Sequence, residues 1–400
     1  MNEVDFSDAL SKIYARQARG LKIRIAFFVV YDSVFPSKNV MHMLADDPLF
    51  DVKVILIPDI LRGSDNMTSQ LQKSLASFSI FSSPVLSGYD FDKNSFIDFS
   101  MDFDIVVMSN PYEEMTHEYF RLSYLIKRSV LPIYIHYGFS IFKYDYKVLA
   151  QKHMMDFWRI FLDTSDCLDE MRKFSNFNWD NCRTTGYCKM DDLSAGSVQN
   201  KDRKCVIIAP HHTIENNNHL NLGSFLEYFD YYINLPFRYP SIDFIFRPHP
   251  MLMGKLLSGT YAPKELISSI LERFLHHPNV EHSTESDYFP IFERSDAMIH
   301  DCASFTAEYL FTGKPVCFAK SVRTNLDETL GGVGKKCMQQ HYIATSSLDI
   351  DFFLNHIVIG GEDPLKSERE GFAEAQLLPC GGNVSRSVIN IIKDELSLSH

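Results

Sequence analysis

The chain has 400 residues, more than one hydrophobic core usually serves, so its length predicts two domains. Its 39 lysines and arginines against 51 aspartates and glutamates give a formal net charge of −12, which argues against broad nucleic-acid binding. The eight cysteines contain no Cys-x-x-Cys pair, which argues against a zinc ribbon and is typical of reduced thiols. With no signal-peptide pattern and no apolar run long enough to span a bilayer, the sequence predicts a cytoplasmic protein.

The first half alternates buried strands with helical segments. Apolar runs without polar alternation predict parallel strands that are covered on both faces. These strands are Leu21–Tyr31, Val52–Pro58, Asp102–Ser109 and Leu131–His136. A long amphipathic segment, Tyr146–Leu162, is predicted to be helical.

The polar stretch 191–204 predicts a linker, after which the same rhythm starts again. A helix is predicted over Leu222–Asn234, and another over Val384–Leu396 near the C-terminus. The predicted strands of this half are Cys205–Ala209, Ile242–Phe246, Asn279–His282, Ala297–Ile299 and Pro315–Phe318, with the last two completing the sheet.

These elements predict an α/β protein with two doubly wound, Rossmann-like domains that face a cleft. The predicted domains are residues 1–195 on the acceptor side, residues 200–385 on the donor side, and a last helix, 386–400, that packs back on the first domain. No Gly-x-Gly-x-x-Gly follows the first strand and no Walker loop occurs, which disfavours nicotinamide-dependent and P-loop enzymes.

One stretch with chemical potential is Arg247-Pro248-His249-Pro250, which ends a predicted strand. The two prolines restrict their neighbours to extended backbone, so the sequence predicts that His249 lies in a stiff, extended loop. Arg247 can offer a planar fork of donors to a phosphate.

A second stretch begins where the apolar run Ala297–Ile299 ends in His300-Asp301. Cys302 to Ser304 are predicted to open a helix whose free N–H groups form a phosphate seat, to which Ser304 adds a hydroxyl. The alternative is that Asp301 and Ser304 only cap that helix. Both stretches lie at carboxyl ends of predicted strands, where open α/β sheets bind ligands.

Other candidates follow strands as well. His136 opens the loop His136-Tyr137-Gly138-Phe139-Ser140, where it either lines a crevice or serves as a core or capping histidine. His211 and Thr213, in the loop after Ala209, are further candidates for donor binding.

The second half resembles the CDP-glycerol glycerophosphotransferases of the teichoic-acid polymerase type. The matching pieces are Ala209-Pro210, Arg247-Pro248-His249-Pro250, Ser295-Asp296, Asp301-Cys302-Ala303-Ser304 and Gly313-Lys314-Pro315. The family shows Asp-Tyr-Ser-Ser where this chain has Asp-Cys-Ala-Ser. In the first half, His136 to Ser140 resembles the family's His-Gly-Thr-Pro loop, with a tyrosine inserted and the proline missing.

The resemblance implies a GT-B fold and transfer of glycerol phosphate, or a related polyol phosphate, from a CDP-activated donor to a hydroxyl, with release of CMP. It implies that His136 is the general base and that His249 donates to the phosphate or to the leaving CMP. Donor binding falls to Arg247, Asp301, Ser304, His211 and Thr213. The implied acceptor is a surface glycan or a lipid-linked molecule, reached through a peripheral membrane contact.

Two other functions remain open from the sequence. A nucleotide-sugar glycosyltransferase of the same fold would use the same crevice, and a non-catalytic nucleotide-sugar-binding module would need only the binding half of the site. No carboxylate cluster with metal-ligand spacing occurs, so we expect no protein metal site, and a divalent cation would arrive with the donor.

Overall fold

A computed structural model describes residues 4–32, 34–79, 81, 83–193, 203–215, 220–285 and 287–398. The chain divides into two compact units. The first comprises Met1–Ser140, Tyr144–Asp192 and Leu377–His400, and the second comprises Ile141–Lys143 and Leu193–Gln376. The predicted linker, 191–204, and the predicted boundary between 195 and 200 fall largely or wholly outside the described residues.

The first unit is built on a parallel sheet of seven strands with the order β3-β2-β1-β6-β7-β8-β9, beside a small antiparallel pair, β4-β5. The strands are β1 (Ile23–Val29), β2 (Phe50–Leu56), β3 (Val85–Ser87), β4 (Tyr89–Asp90), β5 (Ser95–Phe96), β6 (Ile105–Met108), β7 (Leu131–Ile135), β8 (Arg159–Leu162) and β9 (Cys182–Thr184).

Helices cover both faces of this sheet. They are α1 (Ser7–Ala18), α2 (Lys38–Ala45), α3 (Ser64–Phe78), α4 (Leu122–Lys127), α5 (Lys143–Leu149) and α6 (Ser165–Arg172), with 3-10 turns at Glu113–Met115, Glu118–Phe120, Lys152–Asp156 and Cys188–Asp192. Alternate residues of β1 enter two different cores: Ile25 and Phe27 one, Ala26 and Phe28 the other. This double burial is why the strand reads as a continuous apolar run.

The second unit repeats the plan with six parallel strands in the order β12-β11-β10-β13-β14-β15. They are β10 (Lys204–Ala209), β11 (Ile242–Phe246), β12 (Val280–His282), β13 (Ala297–His300), β14 (Val316–Ala319) and β15 (Tyr342–Ala344).

The helices of the second unit are short. They are α7 (Phe229–Arg238), α8 (Pro250–Leu256), α9 (Lys264–Leu275), α10 (Phe289–Arg294), α11 (Phe305–Glu308), α12 (Leu326–Thr329), α13 (Gly332–Met338), α14 (Ser347–Phe352) and α15 (Lys366–Phe372). A 3-10 turn follows α11 at Tyr309–Thr312, and π-helical turns occupy Phe353–Ile359 and Ala373–Leu377.

The last helix, α16 (Val384–Glu395), belongs to the first unit. Its residues Val384, Val388 and Ile392 recur every four positions and enter the core that also holds β1 and β2. Asp191 accepts the backbone N–H of Val384 at 2.8 Å, which satisfies one of the free donors at the start of the helix.

Three sequence predictions of elements were wrong. Tyr146–Leu162 is not one helix, because α5 ends at Leu149 and the strand β8 begins at Arg159. The sheet of the second unit does not end at Pro315–Phe318, since β15 extends it by one more strand. The helix predicted over Leu222–Asn234 begins only at Phe229.

Side chains explain that late start. Thr213 Oγ1 accepts the N–H groups of Leu222 and Gly223, each at 3.0 Å, and Asp301 accepts the N–H of Ser224 at 2.5 Å. Three consecutive amides are thereby held in a loop. This local competition between side-chain acceptors and helix formation is not visible in a hydrophobic pattern.

The two sheets confirm the predicted α/β class with two Rossmann-like, doubly wound parallel sheets. Of the helices that the structure describes, none combines the length and the apolar character needed to cross a membrane.

Candidate functional site

In each sheet the order of strands reverses at one point. In the second unit, this point lies between β10 and β13, so the loops that begin at Pro210 and Asp301 leave the sheet side by side. Such a switch point, at the carboxyl end of the strands, is where open α/β sheets bind ligands.

Asp301 ties the two loops of the second unit together. Its carboxylate accepts the backbone N–H of His211 and both the N–H and the hydroxyl of Ser224, the latter at 2.8 Å. The side chain is buried, which raises the pKa of Asp301 to about 7. Asp301 therefore holds the histidine loop in place, and its partners are not those of a helix cap.

Thr213 fixes the tautomer of His211. A hydroxyl can accept two hydrogen bonds and donate one. Both acceptor positions of Thr213 are taken by the amides of Leu222 and Gly223, so its hydrogen is directed to His211 Nδ1, 2.9 Å away. We therefore assign the ring hydrogen of neutral His211 to Nε2.

His249 lies in a short loop with extended backbone, as predicted, with φ −53° and ψ 138°; the loop ends at once, because the next residue, Pro250, is the first residue of α8. Proline is favoured at that first helical position. The ring Nδ1 of His249 accepts the backbone N–H of Met251 at 3.2 Å. The backbone N–H of His249 donates to Pro210 O at 2.9 Å. Its ring hydrogen is thus also assigned to Nε2.

Lys255, a residue of α8, fixes the tautomer of His212 in the same way. The ammonium of Lys255 lies 3.1 Å from His212 Nδ1 and 2.9 Å from His212 O, and it pairs with Glu215. Since an ammonium only donates, His212 Nδ1 accepts, and Nε2 carries the hydrogen.

The three rings lie together and form what we call the histidine trio, His211, His212 and His249. Their centroids are 4.2 to 5.3 Å apart, and one nitrogen of each ring lies within 4.8 Å of the others. Burial, together with neighbouring positive charge, lowers the pKa of each ring, that of His249 to about 4. At neutral pH the trio is a set of uncharged rings.

Spacing alone would allow the trio to hold a metal ion, since three histidines make a common zinc site. A metal-bound histidine, however, usually donates its second ring N–H to an acceptor. In the trio, each Nδ1 faces a hydrogen-bond donor, and the other nitrogen carries the hydrogen. The arrangement therefore suits an anion better than a cation.

Arg247 follows β11 next to this cluster and is half-buried. Its guanidinium donates to Ser283 Oγ at 3.0 Å and lies over the ring of Tyr288, 5.1 Å from the centroid. Burial lowers the pKa of Arg247 from its high ordinary value, and the guanidinium keeps its positive charge.

The helix predicted after Cys302 is much shorter than expected. It has only the four residues of α11 before it tightens into a 3-10 turn. Ser304 stands at its start without a side-chain capping bond, and Cys302 is buried with its thiol 3.0 Å from Ala209 O. The helix start that was predicted to bind phosphate is thus a single turn. The alternative that Asp301 and Ser304 cap the helix is wrong.

In the first unit, His136 lies directly after β7 and is buried. Its Nδ1 is 2.8 Å from the hydroxyl of Tyr134, and burial lowers its pKa to about 4. The next loop residues are held by Asp163, which accepts the N–H of Ser140 and plays the part that Asp301 plays in the second unit. His136 is therefore a neutral, oriented imidazole at the carboxyl edge of its sheet.

Of the predicted site residues, the second unit brings together His211, Thr213, His249, Arg247 and Asp301 around one edge of the sheet. His136 lies in the other unit. Lys255 and Tyr134 were missed. The available signal for Lys255 was Pro250, a helix-starting proline that places Lys255 one turn along α8, beside the histidines.

Comparison with known proteins bears on the fold. No family model matches the chain, and no curated protein matches its sequence. Solved structures do match over nearly its whole length, and they define the class as GT-B proteins with two Rossmann-like domains.

One is the UDP-N-acetylglucosamine 2-epimerase of Neisseria meningitidis bound to UDP-GlcNAc, with 14% identity, a TM-score of 0.58, and coverage of 94% of this chain and 100% of that one. MnaA of S. aureus, solved with UDP, has 13% identity and a TM-score of 0.57, covering 95% and 98% of the chains. The wall teichoic acid polymerase TagF has 11% identity and a TM-score of 0.58, covering 99% of each. At these identities, the likeness establishes the fold.

Proposed function

We propose that the chain is an enzyme that acts on a nucleotide-activated donor of surface-glycan synthesis. More specifically, we propose that it transfers glycerol phosphate, or a related polyol phosphate, from a CDP-activated donor to a hydroxyl group and releases CMP. The second unit binds the donor diphosphate, and the first unit supplies the general base.

The observation that carries the proposal is the histidine trio beside Arg247. Three N–H donors of neutral rings and a guanidinium lie at the carboxyl edge of one sheet, beside its switch point, while the Lys255 ammonium is engaged in holding His212. Neutral and cationic donors at such a crevice suit the oxygens of a diphosphate.

Charge supports the assignment of the donor to the second unit. The six residues that follow each of β10, β11, β13 and β14 contain two arginines, one lysine and the three histidines of the trio, against the carboxylates of Glu215 and Asp301. Asp301 is buried and already accepts hydrogen bonds. Glu285 and Asp287 follow the neighbouring strand β12, so the attraction for a dianionic donor is confined to the loops after β10, β11, β13 and β14.

In the proposed reaction, the acceptor hydroxyl attacks the phosphorus that carries glycerol. The new O–P bond forms as the P–O bond to CMP breaks, and CMP leaves with that oxygen. His136 takes the hydroxyl proton at Nε2, which requires that its Nδ1–H donates to Tyr134. The Nε2–H of His249 and the Arg247 guanidinium stabilise the charge on the transferred phosphate.

Two lines support CDP-glycerol over other donors. The chain resembles the glycerophosphotransferases at Arg247 to Pro250 and at Asp301 to Ser304, and its fold matches TagF, a variant of which was soaked with CDPG. The alternative, a nucleotide-sugar enzyme, is represented by the epimerase solved with UDP-GlcNAc and by MnaA, solved with UDP.

Analysis of the released products distinguishes an enzyme that uses CDP-glycerol from one that uses a nucleotide sugar. The protein is incubated separately with CDP-glycerol, CDP-ribitol, UDP-GlcNAc and a GDP-sugar, with a glycan extract as acceptor, and the nucleotides are separated by chromatography. We expect CMP from a CDP-polyol and no turnover of the others. UDP or GDP release, an epimerised sugar, or no product from any donor would overturn the proposal.

A variant ties the product to the proposed site. Arg247→Ala should abolish the CMP signal. Arg273→Ala, which removes an exposed cation on α9, is its control.

A further inference from the structure

The loops after β6 and β7 and the first turn of α5 bring together three tyrosines of the first unit, outside the proposed donor site. The hydroxyls of Tyr112 and Tyr137 lie 3.4 Å apart, and Tyr112 also hydrogen bonds with Tyr144. The ring of Tyr137 lies 4.7 Å from the ring of His136. We call Tyr112, Tyr137 and Tyr144 the tyrosine cluster.

The hydroxyls of this cluster are uncharged donors and acceptors. Burial raises the pKa of Tyr112 and of Tyr137, so both stay protonated at neutral pH. Their separation of 3.4 Å is longer than an ordinary O–H···O hydrogen bond of about 2.5–3.0 Å. A hydroxyl of a ligand can therefore replace this weak contact with stronger ones.

The charge of this edge argues against an anionic ligand. The six residues that follow each of β1, β2, β6, β7 and β8 contain one arginine and no lysine, against six carboxylates. That arginine, Arg62, lies 3.6 Å from the buried Asp59 and donates to Tyr31 at 2.8 Å. Two of the six carboxylates, those of Asp59 and Asp163, are buried and accept backbone N–H groups, so four carboxylates and one arginine remain, and these loops stay acidic and rich in hydroxyls.

The space beside the cluster argues against a lipid chain. Tyr112 borders a small pocket whose walls include Phe28, Met108 and Phe120. Its volume of about 20 Å³ holds little more than one water-sized group. Neither an acyl or prenyl chain nor a sugar ring fits inside it, so a saccharide held by the cluster lies over the tyrosine hydroxyls and not in this pocket.

We propose that the tyrosine cluster is a binding subsite for an uncharged saccharide, which it holds through the saccharide hydroxyls next to His136. The inference rests on the proposed function, because it names the class of acceptor whose hydroxyl attacks the donor. Tyr112 and Tyr137 would select a neutral sugar and disfavour a phosphate-bearing acceptor.

The test measures ligand binding without any donor, by ligand-observed NMR on the full chain. The neutral probes are the methyl glycosides of glucose, galactose and N-acetylglucosamine, and the anionic probe is glycerol 3-phosphate. The double variant Tyr112→Phe/Tyr137→Phe removes both hydroxyls and keeps the rings. Tyr14→Phe, on the exposed face of α1, is the matched control.

We expect at least one neutral glycoside to bind the wild type at millimolar concentration and to lose about tenfold or more in affinity in the double variant, since each lost hydrogen bond contributes about 1 kcal/mol. Tyr14→Phe should bind as the wild type. Failure of every glycoside to bind, equal binding by the double variant, or preferential binding of glycerol 3-phosphate would overturn the inference.

A parallel titration with CDP-glycerol separates this inference from the proposed function. The double variant should bind CDP-glycerol as the wild type does, because the donor residues lie in the second unit. If the wild type binds a glycoside through these tyrosines but does not bind CDP-glycerol, the proposed donor is wrong and the saccharide subsite stands. If it binds CDP-glycerol and no glycoside, the saccharide subsite alone is wrong.

Discussion

At the scale of single residues, hydrogen bonds decide what the histidines can do. His211, His212 and His249 each have Nδ1 facing a donor, so each offers an N–H at Nε2 without carrying charge. The sequence indicated His211 and His249 as donor-binding residues from their position after strands. It could not give their tautomers, because these depend on Thr213, Lys255 and the amide of Met251, which only the folded chain brings into place.

The neutral trio leads to a prediction about pH. The pKa of His249 is lowered to about 4 and those of His211 and His212 are also lowered, so the rings hold the same protons throughout the range above pH 6.5. The diphosphate of CDP-glycerol has no phosphate monoester that titrates there. We expect its dissociation constant, measured by calorimetry, to change by less than about threefold between about pH 8 and pH 9, a range above the pKa of about 7 of Asp301.

If instead the charged imidazolium form bound the donor, affinity would fall as pH rises through the histidine pKa, by up to about tenfold per pH unit for each proton. A steep loss of affinity above about pH 6.5 would therefore contradict the neutral-donor assignment.

A second residue-scale prediction separates the roles of His136 and His249. His136→Ala should lower the rate of CMP release by about 10²–10⁴-fold and leave the dissociation constant for CDP-glycerol unchanged, as expected for loss of a general base. His249→Ala should weaken donor binding and lower the rate as well, because it removes an N–H to the phosphate.

The exposed histidine His276 on the surface of the second unit provides the control, and His276→Ala should behave as the wild type. The melting temperatures of the variants are compared first. Normal turnover by correctly folded His136→Ala and His249→Ala would show that the assigned mechanism is wrong.

At the scale of elements, the sequence predicted the strands better than the helices. Strands covered on both faces, such as β1 and β6, are continuous apolar runs, and their type follows from composition alone. Where a helix begins depends on whether nearby side chains compete with the helix for its backbone N–H groups. The start of α7 is delayed because Thr213 and Asp301 bind the amides before it, and α8 begins at a proline that the sequence analysis had placed in a loop.

The prediction at the scale of elements concerns Asp301, which joins two loops of the second unit. Asp301→Ala would leave the amides of His211 and Ser224 and the hydroxyl of Ser224 buried without their acceptor. We expect a loss of about 2–4 kcal/mol in the free energy of unfolding and weaker CDP-glycerol binding, measured by urea denaturation and calorimetry.

Asp301→Asn, which keeps one acceptor oxygen, should lose less stability than Asp301→Ala. The comparison residue is Asp243, half-exposed in an ion pair with Arg203, for which Asp243→Ala should cost less than about 1 kcal/mol. Equal stability of Asp301→Ala and the wild type would mean that Asp301 does not hold the two loops together.

At the scale of the whole molecule, buried histidines link the stability of the protein to pH. In the second unit, Cys302 N–H donates to His300 Nδ1 at 3.1 Å, and His341 Nδ1 lies 2.9 Å from Cys337 O, to which it must donate. The two Nε2 atoms are 3.2 Å apart, so the neutral rings complete one chain of hydrogen bonds from the β13 turn to α13. A proton on either ring would break it.

Burial lowers the pKa of His341 to about 4 and holds that of His300 well below its ordinary value, whereas the unfolded chain has an ordinary histidine pKa of about 6.5. Between these values, the unfolded state binds more protons than the folded state, so stability is full above about pH 6.5 and falls as pH drops towards about 4. His341→Gln should reduce the slope of unfolding free energy against pH by about 1.4 kcal/mol per unit, measured by urea denaturation between about pH 6 and pH 5. An unchanged slope would contradict the buried pair as a source of acid sensitivity.

The two-unit plan itself was accessible from sequence, because the βα rhythm repeats and both sheets are buried. The difference in charge between the carboxyl edges of the two sheets could be recognised only once the strand ends were known. The six-residue loops after β1, β2, β6, β7 and β8 of the first unit are acidic and hold three tyrosines, while those after β10, β11, β13 and β14 of the second unit carry the histidine trio and three cations. The resemblance to glycerophosphotransferases pointed to individual residues, but not to this division of charge.

The central claim is that the second unit holds the donor diphosphate through the histidine trio and Arg247. Its most direct test is calorimetric titration of CDP-glycerol into the wild type, into His212→Ala/His249→Ala, and into the control His276→Ala, with matched folding. We predict binding by the wild type and the control and a loss of about 100-fold or more in the double variant, since two hydrogen bonds to a charged group contribute about 1.5–3 kcal/mol each. Equal affinity in all three proteins, or no binding of CDP-glycerol by any of them, would contradict the account.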